Sequence, residues 1–185
     1  GIARCTAGRN GGGICNLTGE IALFQAGVND CSAVSNGGAL YSVDGLLSIY
    51  GDTYNTGGDF QTNGAQKGGC FYLDDTDLTV DHLQFFGNHS SFGGSVLYCE
   101  FGVVSIRNCW IRRSSTNGYG AVVYQESGTT ALRNNVFIES TATIDGSVAY
   151  VQGGEIQVVN FTIDGNCSPI GTGAITRAGG DVTLV

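Results

Sequence analysis

The chain has one lysine (Lys67), one proline and no methionine among 185 residues. Helix formers are scarce, whereas Val, Ile, Thr, Tyr and Phe are common, a balance that favours strands. Basic residues number 8 against 16 acidic ones, and the net charge of −8 argues against a nucleic-acid partner. No apolar run is long enough to span a membrane. None of the 7 cysteines falls in a CxxC pair, so a zinc ribbon is not expected. No D-x-D-x-D-G loop and no calcium-binding nonapeptide repeat occur. No secretory leader is visible. The chain begins at Gly1 and stops in GGDVTLV, and it is expected to be processed or to belong to a longer chain.

What is abundant is glycine, 31 residues of it, and a recurring phrase. GGALYSVDG, GSVLYCEFG, GAVVYQESG and GSVAYVQGG each run from a glycine, through small or apolar residues and a tyrosine, to a turn. Aligned on Gly37, Gly68, Gly94, Gly120 and Gly146, the copies place Tyr41, Tyr72, Tyr98, Tyr124 and Tyr150 in one column. Degenerate copies start at Gly12, with Asn16 in the tyrosine place, and at Gly173, with Arg177 there. The spacings are 25, 31, 26, 26, 26 and 27 residues, the long one carrying an insertion near residues 54–58.

After each tyrosine comes a turn (Gly45, Thr76, Gly102, Gly128, Gly154), then a strand with apolar residues at every second place. Its columns are Leu47/Leu78/Val104/Thr130/Ile156 and Ile49/Val80/Ile106/Leu132/Val158. Alternation at period two marks one buried face. A further apolar column is Tyr54/Phe85/Ile111/Phe137/Ile163, preceded by a polar one, Gly51/His82/Asn108/Asn134/Asn160. Like residues recurring about every 26 places mean stacked coils, none of which buries its apolar face alone. The expected fold is all-β: a single-stranded right-handed parallel β-helix of about seven coils and one domain over residues 1–185. At one strand spacing per coil the rod is on the order of 34 Å long. In the first strand the pattern leaves open whether Leu40/Phe71/Leu97/Val123 or the tyrosines face inward.

Four N-x-S/T sequons begin at Asn16, Asn88, Asn160 and Asn166. With the cysteines they point to a secreted eukaryotic glycoprotein, extracellular or at a cell surface. Asn160 stands in the polar bend column, where stacked amides bond each other, so its sequon is expected to be hidden. Asn88 and Asn166, in polar loops where other copies have Ser114 and Ser140, are expected to carry glycans, with Asn16 a further acceptor. Cys5 and Cys31, one repeat apart, should stack and could bridge. Cys70 and Cys99 lie in adjacent coils but three places out of register, Cys109 and Cys167 are two coils apart, and Cys15 has no evident partner. An odd count leaves one thiol free or joined to another chain.

Three columns could carry chemistry. Asp74, Glu100 and Glu126 stack two places past their tyrosines, with Asp75, Asp77 and Asp44 nearby. Stacked carboxylates repel unless a cation or basic partner separates them, so calcium is the one cofactor this column suggests. The bland reading is a solvated acidic face that keeps a rod soluble. Asp81, Arg107 and Arg133 form a charged column in which Asp81 and Arg107 should be neighbours, an exposed pair worth about 0–1 kcal/mol. Thr141 and Thr143 make one Thr-x-Thr pair, but neighbouring coils do not repeat it, which disfavours ice binding.

The stretches GGAL (37–40), FQTN (60–63) and Phe85 to Asn88 resemble the GGA[ILV]…FxxN repeats of polymorphic outer-membrane proteins and related adhesins. More broadly the chain resembles the pectin-lyase-like superfamily of β-helices over nearly its whole length. That resemblance implies the fold; the fold hosts lyases, hydrolases, adhesins and fibres alike. The signatures NTD, GHG and RIK of glycosidases on this fold are missing, and only segment 50–67 is a long insertion. The first expectation is therefore a non-catalytic structural or adhesive rod, associating with itself or with other extracellular glycoproteins and glycans. The open strand edges at both ends invite end-to-end stacking. The alternatives are a polysaccharide lyase or glycosidase with its site near Asp74, Asp75, Glu100 and Arg107, and a monomeric receptor- or glycan-binding adhesin.

Overall fold

The computed structural model describes residues 1–52 and 59–185. The described residues form strands, bends and turns and no helix. Every strand pairs in parallel with its counterpart in the next coil, giving a β-solenoid of about 7 turns spaced about 26 residues apart. Three sheets form its faces, with 12, 7 and 6 strands.

One coil shows the construction. Leu97–Cys99 lies in the 12-stranded sheet, and after a turn Val103–Arg107 continues the same sheet. A bend at Asn108 leads to Trp110–Arg112 in the 7-stranded sheet. A second bend, at Arg113, leads to Ser115–Thr116 in the 6-stranded sheet. The next phrase then starts at Gly120, whose φ of 59° is left-handed. A Cβ there would overlap the Val123 carbonyl oxygen, which is why glycine returns at this place.

The register settles the parity of the first strand. Leu40, Phe71, Leu97, Val123 and Ala149 point into the solenoid and are fully buried. The expected columns from Leu47 to Ile156 and from Ile49 to Val158 line the same core, Thr130 included. Phe60, not Tyr54, stands in register with Phe85, Ile111 and Phe137; Tyr54 lies outside the described residues. Phe60, Phe71 and Phe85 meet inside the core at centroid distances of 5.0–5.8 Å.

The two degenerate copies shift by one residue. Cys15, not Asn16, pairs with Tyr41, and Thr176, not Arg177, pairs with Tyr150. The first copy thus starts at Gly11, whose φ of 67° matches Gly37 at 65°. The shift turns Asn16 from the outer column to the inner one beside Ser42.

Two bends per coil place non-glycine residues in the left-handed region. At one stand Gln25, His82, Asn108, Asn134 and Asn160; at the other Arg4, Asp30, Thr62, Arg113 and Glu139, with Gly87 and Gly165 in the same column. At each bend the left-handed residue faces outward. The residue after it turns in, as with Asn63, Asn88, Ser114 and Ser140 at one bend and Leu83, Cys109 and Asn135 at the other.

Candidate functional site

The tyrosine column faces away from the main core yet is largely covered. Rings from Tyr41 to Tyr150 stack at centroid distances of 5.3, 5.4, 4.8 and 5.5 Å. Phe92, projecting where the 6-stranded sheet slips register between Ser90 and Gly93, lies over Tyr98 and Tyr124. Tyr98 is fully buried beneath it, and Tyr72 and Tyr124 nearly so.

A buried phenol needs a hydrogen-bond partner, and the acidic column supplies it. The Tyr72 hydroxyl donates to Glu100 Oε2, that of Tyr98 to Glu126 Oε1 at 2.5 Å, and that of Tyr124 to Gln152 Oε1. Lys67 Nζ sits 4.5 Å from the Tyr98 ring centroid and 3.9 Å from Glu126 Oε1. Burial, then the hydrogen bond and charge of Glu126, push the Tyr98 phenol far above its ordinary range. Burial and the Glu126 charge push Tyr124 up to about 12.

This changes the reading of Asp74, Glu100 and Glu126. They do stack, but Glu100 and Glu126 accept from tyrosines one coil away, and Glu126 also pairs with the lysine. Among the described residues no group of three or more His, Cys, Asp or Glu is arranged to hold a metal ion. The residues named for an enzyme site do not converge. Asp74 and Asp75 lie in the first half of the Phe71–Asp81 strand, whereas Arg107 Nε is 2.9 Å from Asp81 Oδ2 at that strand's far end. Asp81 also accepts from Asn108 Nδ2 and lies 2.7 Å from His82 Nδ1. The expected Asp81–Arg107 pair is thus present, while Arg133 Nη2 donates to Gln157 Oε1 at 2.5 Å.

Two surface features remain. An open groove of about 280 Å³ is lined by Glu20, Asp44, Asp75 and Asp77, together with Gly19, Gly45 and Leu46. Asp77 Oδ1 accepts the Val103 N–H at 3.0 Å. On the 7-stranded sheet, Trp110 keeps 45% of its surface exposed. The Arg112 guanidinium lies 5.8 Å from its ring and 6.0 Å from that of Phe86, and Arg113 is 5.8 Å from Phe86. Sequence reasoning passed over this face. Its one signal is the chain's only tryptophan next to two arginines in CWIRR.

The four sequon asparagines differ in where their side chains lie. Asn108, Asn134 and Asn160 do form an amide ladder, Asn134 Nδ2 to Asn108 Oδ1 at 3.1 Å and Asn160 Nδ2 to Asn134 Oδ1 at 2.8 Å. The ladder stands on the outside, however, and Asn160 is exposed. Asn88 is fully buried: its Nδ2 donates to Phe60 O and its Oδ1 accepts the Asn63 N–H. Asn166 holds the equivalent place, with Nδ2 donating to Phe137 O and Oδ1 accepting the Ser140 N–H. Asn16, 7% exposed, donates to Ser42 Oγ and Gly19 O. A glycan on Nδ2 of Asn16, Asn88 or Asn166 would break these bonds. The FxxN motif held the clue: its asparagine recurs one place after a bend because it faces in.

All seven cysteines are free. Cys5 and Cys31 stack as expected, flanking the Thr6–Ser32 register, but no disulfide joins them. Cys70 and Cys99 are buried at different places in the core and are not bridged. Burial pushes the Cys99 and Cys109 thiols up to about 12.

Comparison with family models, curated proteins and solved structures gives no match in any of the three.

Proposed function

We propose that this chain is a non-catalytic β-helical rod of the pectin-lyase-like kind, acting outside the cell as structural or adhesive material. The observation that carries this reading is where the polar side chains go. Tyr72–Glu100, Tyr98–Glu126, Arg107–Asp81, Arg113–Glu139, Thr62–Asp30 and the asparagine ladder all bond a neighbouring coil. Glu100, Glu126 and Arg107, three of the groups that chemistry would require, are instead engaged in holding the stack together. A rod of this kind offers partners a rigid surface, and the Trp110–Arg112 face combines an exposed ring with cationic donors, a combination suited to glycans or glycoproteins.

The acidic groove at Asp44 and Asp75 supports a second reading, because glycoside hydrolysis requires paired carboxylates. Both are tested together. Neutral and acidic polysaccharides are incubated with the protein, with and without calcium, and unsaturated products and new reducing ends are measured. The rod reading expects neither. Cleavage lost in Asp75→Asn would replace it with the enzyme reading. Electron microscopy of unreduced protein is expected to show filaments or laterally associated rods; isolated rods that retain glycans through Trp110 would favour the monomeric adhesin.

A further inference from the structure

The second bend of each coil has an inward place occupied in turn by Cys5, Cys31, Asn63, Asn88, Ser114, Ser140 and Asn166. Where asparagine stands there, its amide joins two coils. Asn63 Oδ1 accepts the Cys31 N–H and Asn63 Nδ2 donates to Val28 O; Asn88 and Asn166 repeat both bonds on their own neighbours. Cysteine cannot do this. Cys5 Sγ turns to Ala3 O at 3.5 Å and Cys31 Sγ to Asn29 O at 3.3 Å, each a weak bond within its own coil. The junction of the first two coils therefore lacks, as do those at Ser114 and Ser140, the side-chain link that Asn63, Asn88 and Asn166 supply.

The two thiols are placed to make a covalent one. The residues before them, Arg4 and Asp30, have φ of 55° and 54°, so both cysteines leave the same bend in the same direction. Ser32 N–H donates to Cys5 O at 2.9 Å, which holds the two coils one strand spacing apart. That spacing of about 4.8 Å lies inside the Cα range of natural disulfides. The two thiols differ in access: Cys5 is half-buried and Cys31 fully buried. Cys15, on the other strand face in register with Tyr41, is exposed and lies outside this column.

We propose that Cys5 and Cys31 form a modification site that closes to a disulfide by exchange with a small-molecule disulfide such as oxidised glutathione. The Cys5 thiolate attacks one sulfur of the reagent, forming a mixed disulfide and releasing one glutathione thiolate. Cys31, giving up its proton to solvent, then attacks Cys5 Sγ. The mixed S–S bond breaks, the Cys5–Cys31 bond forms, and a second glutathione leaves. The reagent gains the two electrons that the two cysteines lose. Cys31 has no access to the reagent itself and acts only as the resolving thiol. This inference stands apart from the rod reading.

The test uses the 185-residue chain with Cys15→Ser, titrated with mixtures of oxidised and reduced glutathione, alkylated, and digested with trypsin. Cleavage after Arg4, Arg9 and Lys67 puts Cys5 in peptide 5–9 and Cys31 in peptide 10–67, where it is then the only cysteine. The expected result is peptide 5–9 linked to 10–67, two hydrogens lighter than their sum. With Cys31→Ser added, the linkage disappears and Cys5 stops at the glutathione adduct. A Cys5→Ser chain that stays folded should leave Cys31 unmodified until urea is added, which keeps the test valid should Cys31→Ser fail to fold. Cys5 remaining free, or accumulating as the glutathione adduct while Cys31 is present, would overturn the proposal.

Discussion

Asn88 and Asn160 are the same residue type within the same sequon pattern, and the bend gives them opposite roles. Asn88 is sealed in the core with both ends of its amide bonded, so Asn88→Ala removes three bonds, from its Nδ2 to Phe60 O and to its Oδ1 from Asn63 N–H and Asn63 Nδ2. It should cost about 1–3 kcal/mol, whereas Asn160→Ala, on the exposed ladder, should cost less than about 1 kcal/mol; urea unfolding measures both. By the same geometry, passage through a glycosylating secretory pathway should modify Asn160 and leave Asn16, Asn88 and Asn166 bare, which peptide mass mapping reads directly. The covered phenols set an alkaline limit. Tyr124 is raised from 10.0 to about 12 by burial and then by the Glu126 charge, and Tyr98 is raised further. A folded-state value above the unfolded one means that this contribution is intact below pH 10. It fades as pH rises through the folded values, because the unfolded phenol ionises first. Unfolding midpoints should therefore fall from about pH 10 upward, and Tyr98→Phe should flatten that fall.

At the scale of the element, each coil depends on its corners more than on its strands. The strands are two to five residues long in most coils and have no stability alone. Two coils depart from this in part: Leu40–Tyr50 and Phe71–Asp81 pair on both sides of the place where the others turn, with Asp44 and Asp75 left-handed there at φ of 51° and 45°. Thr76 sits buried just past that kink and its hydroxyl bonds Ser42 Oγ and Asp74 O, so the two coils are tied to each other there. Glycine at the start of each phrase is conformationally required. Gly120→Ala meets both a left-handed φ and the Val123 carbonyl, and should destabilise by about 1–3 kcal/mol or more, read by thermal unfolding. Gly8→Ala, where an added Cβ meets nothing within 4 Å, is the control expected to change little.

At the scale of the molecule, one core runs through the stack, and its stability is the sum of coil-to-coil interfaces. Those interfaces are unequal. The aromatic cluster Phe60–Phe71–Phe85 joins consecutive coils in the half of the chain that also holds the insertion. Phe85→Ala removes its centre and should cost about 3–5 kcal/mol. Ile163→Ala, in the same column but only partly buried, should cost clearly less. Broad or biphasic unfolding of Phe85→Ala, by circular dichroism against tyrosine fluorescence, is the outcome expected if coils on either side uncouple.

Columns of like residues at a constant period determined the solenoid, because parallel in-register stacking is the arrangement that puts every apolar column of this chain out of water at once. The core columns from Leu47 to Val158 and the Asp81–Arg107 contact could be read that way, whereas the parity of the Leu40 column could not. The orientation of bend residues could not. Counting by twos works along a strand, but a left-handed residue at a bend resets the alternation, so that Asn160 faces out and Asn88, one place after Gly87, faces in. The insertion hid Phe60, and in the end copies the column is held by Gly11 and Thr172 rather than by the glycines next to them, Gly12 and Gly173. Only the tertiary structure decided that the tyrosines outside the core are themselves covered, since Phe92 and Lys67 reach them from another sheet, where stacking of the coils brings Lys67 to Tyr98 and Phe92 to Tyr124 across a full repeat.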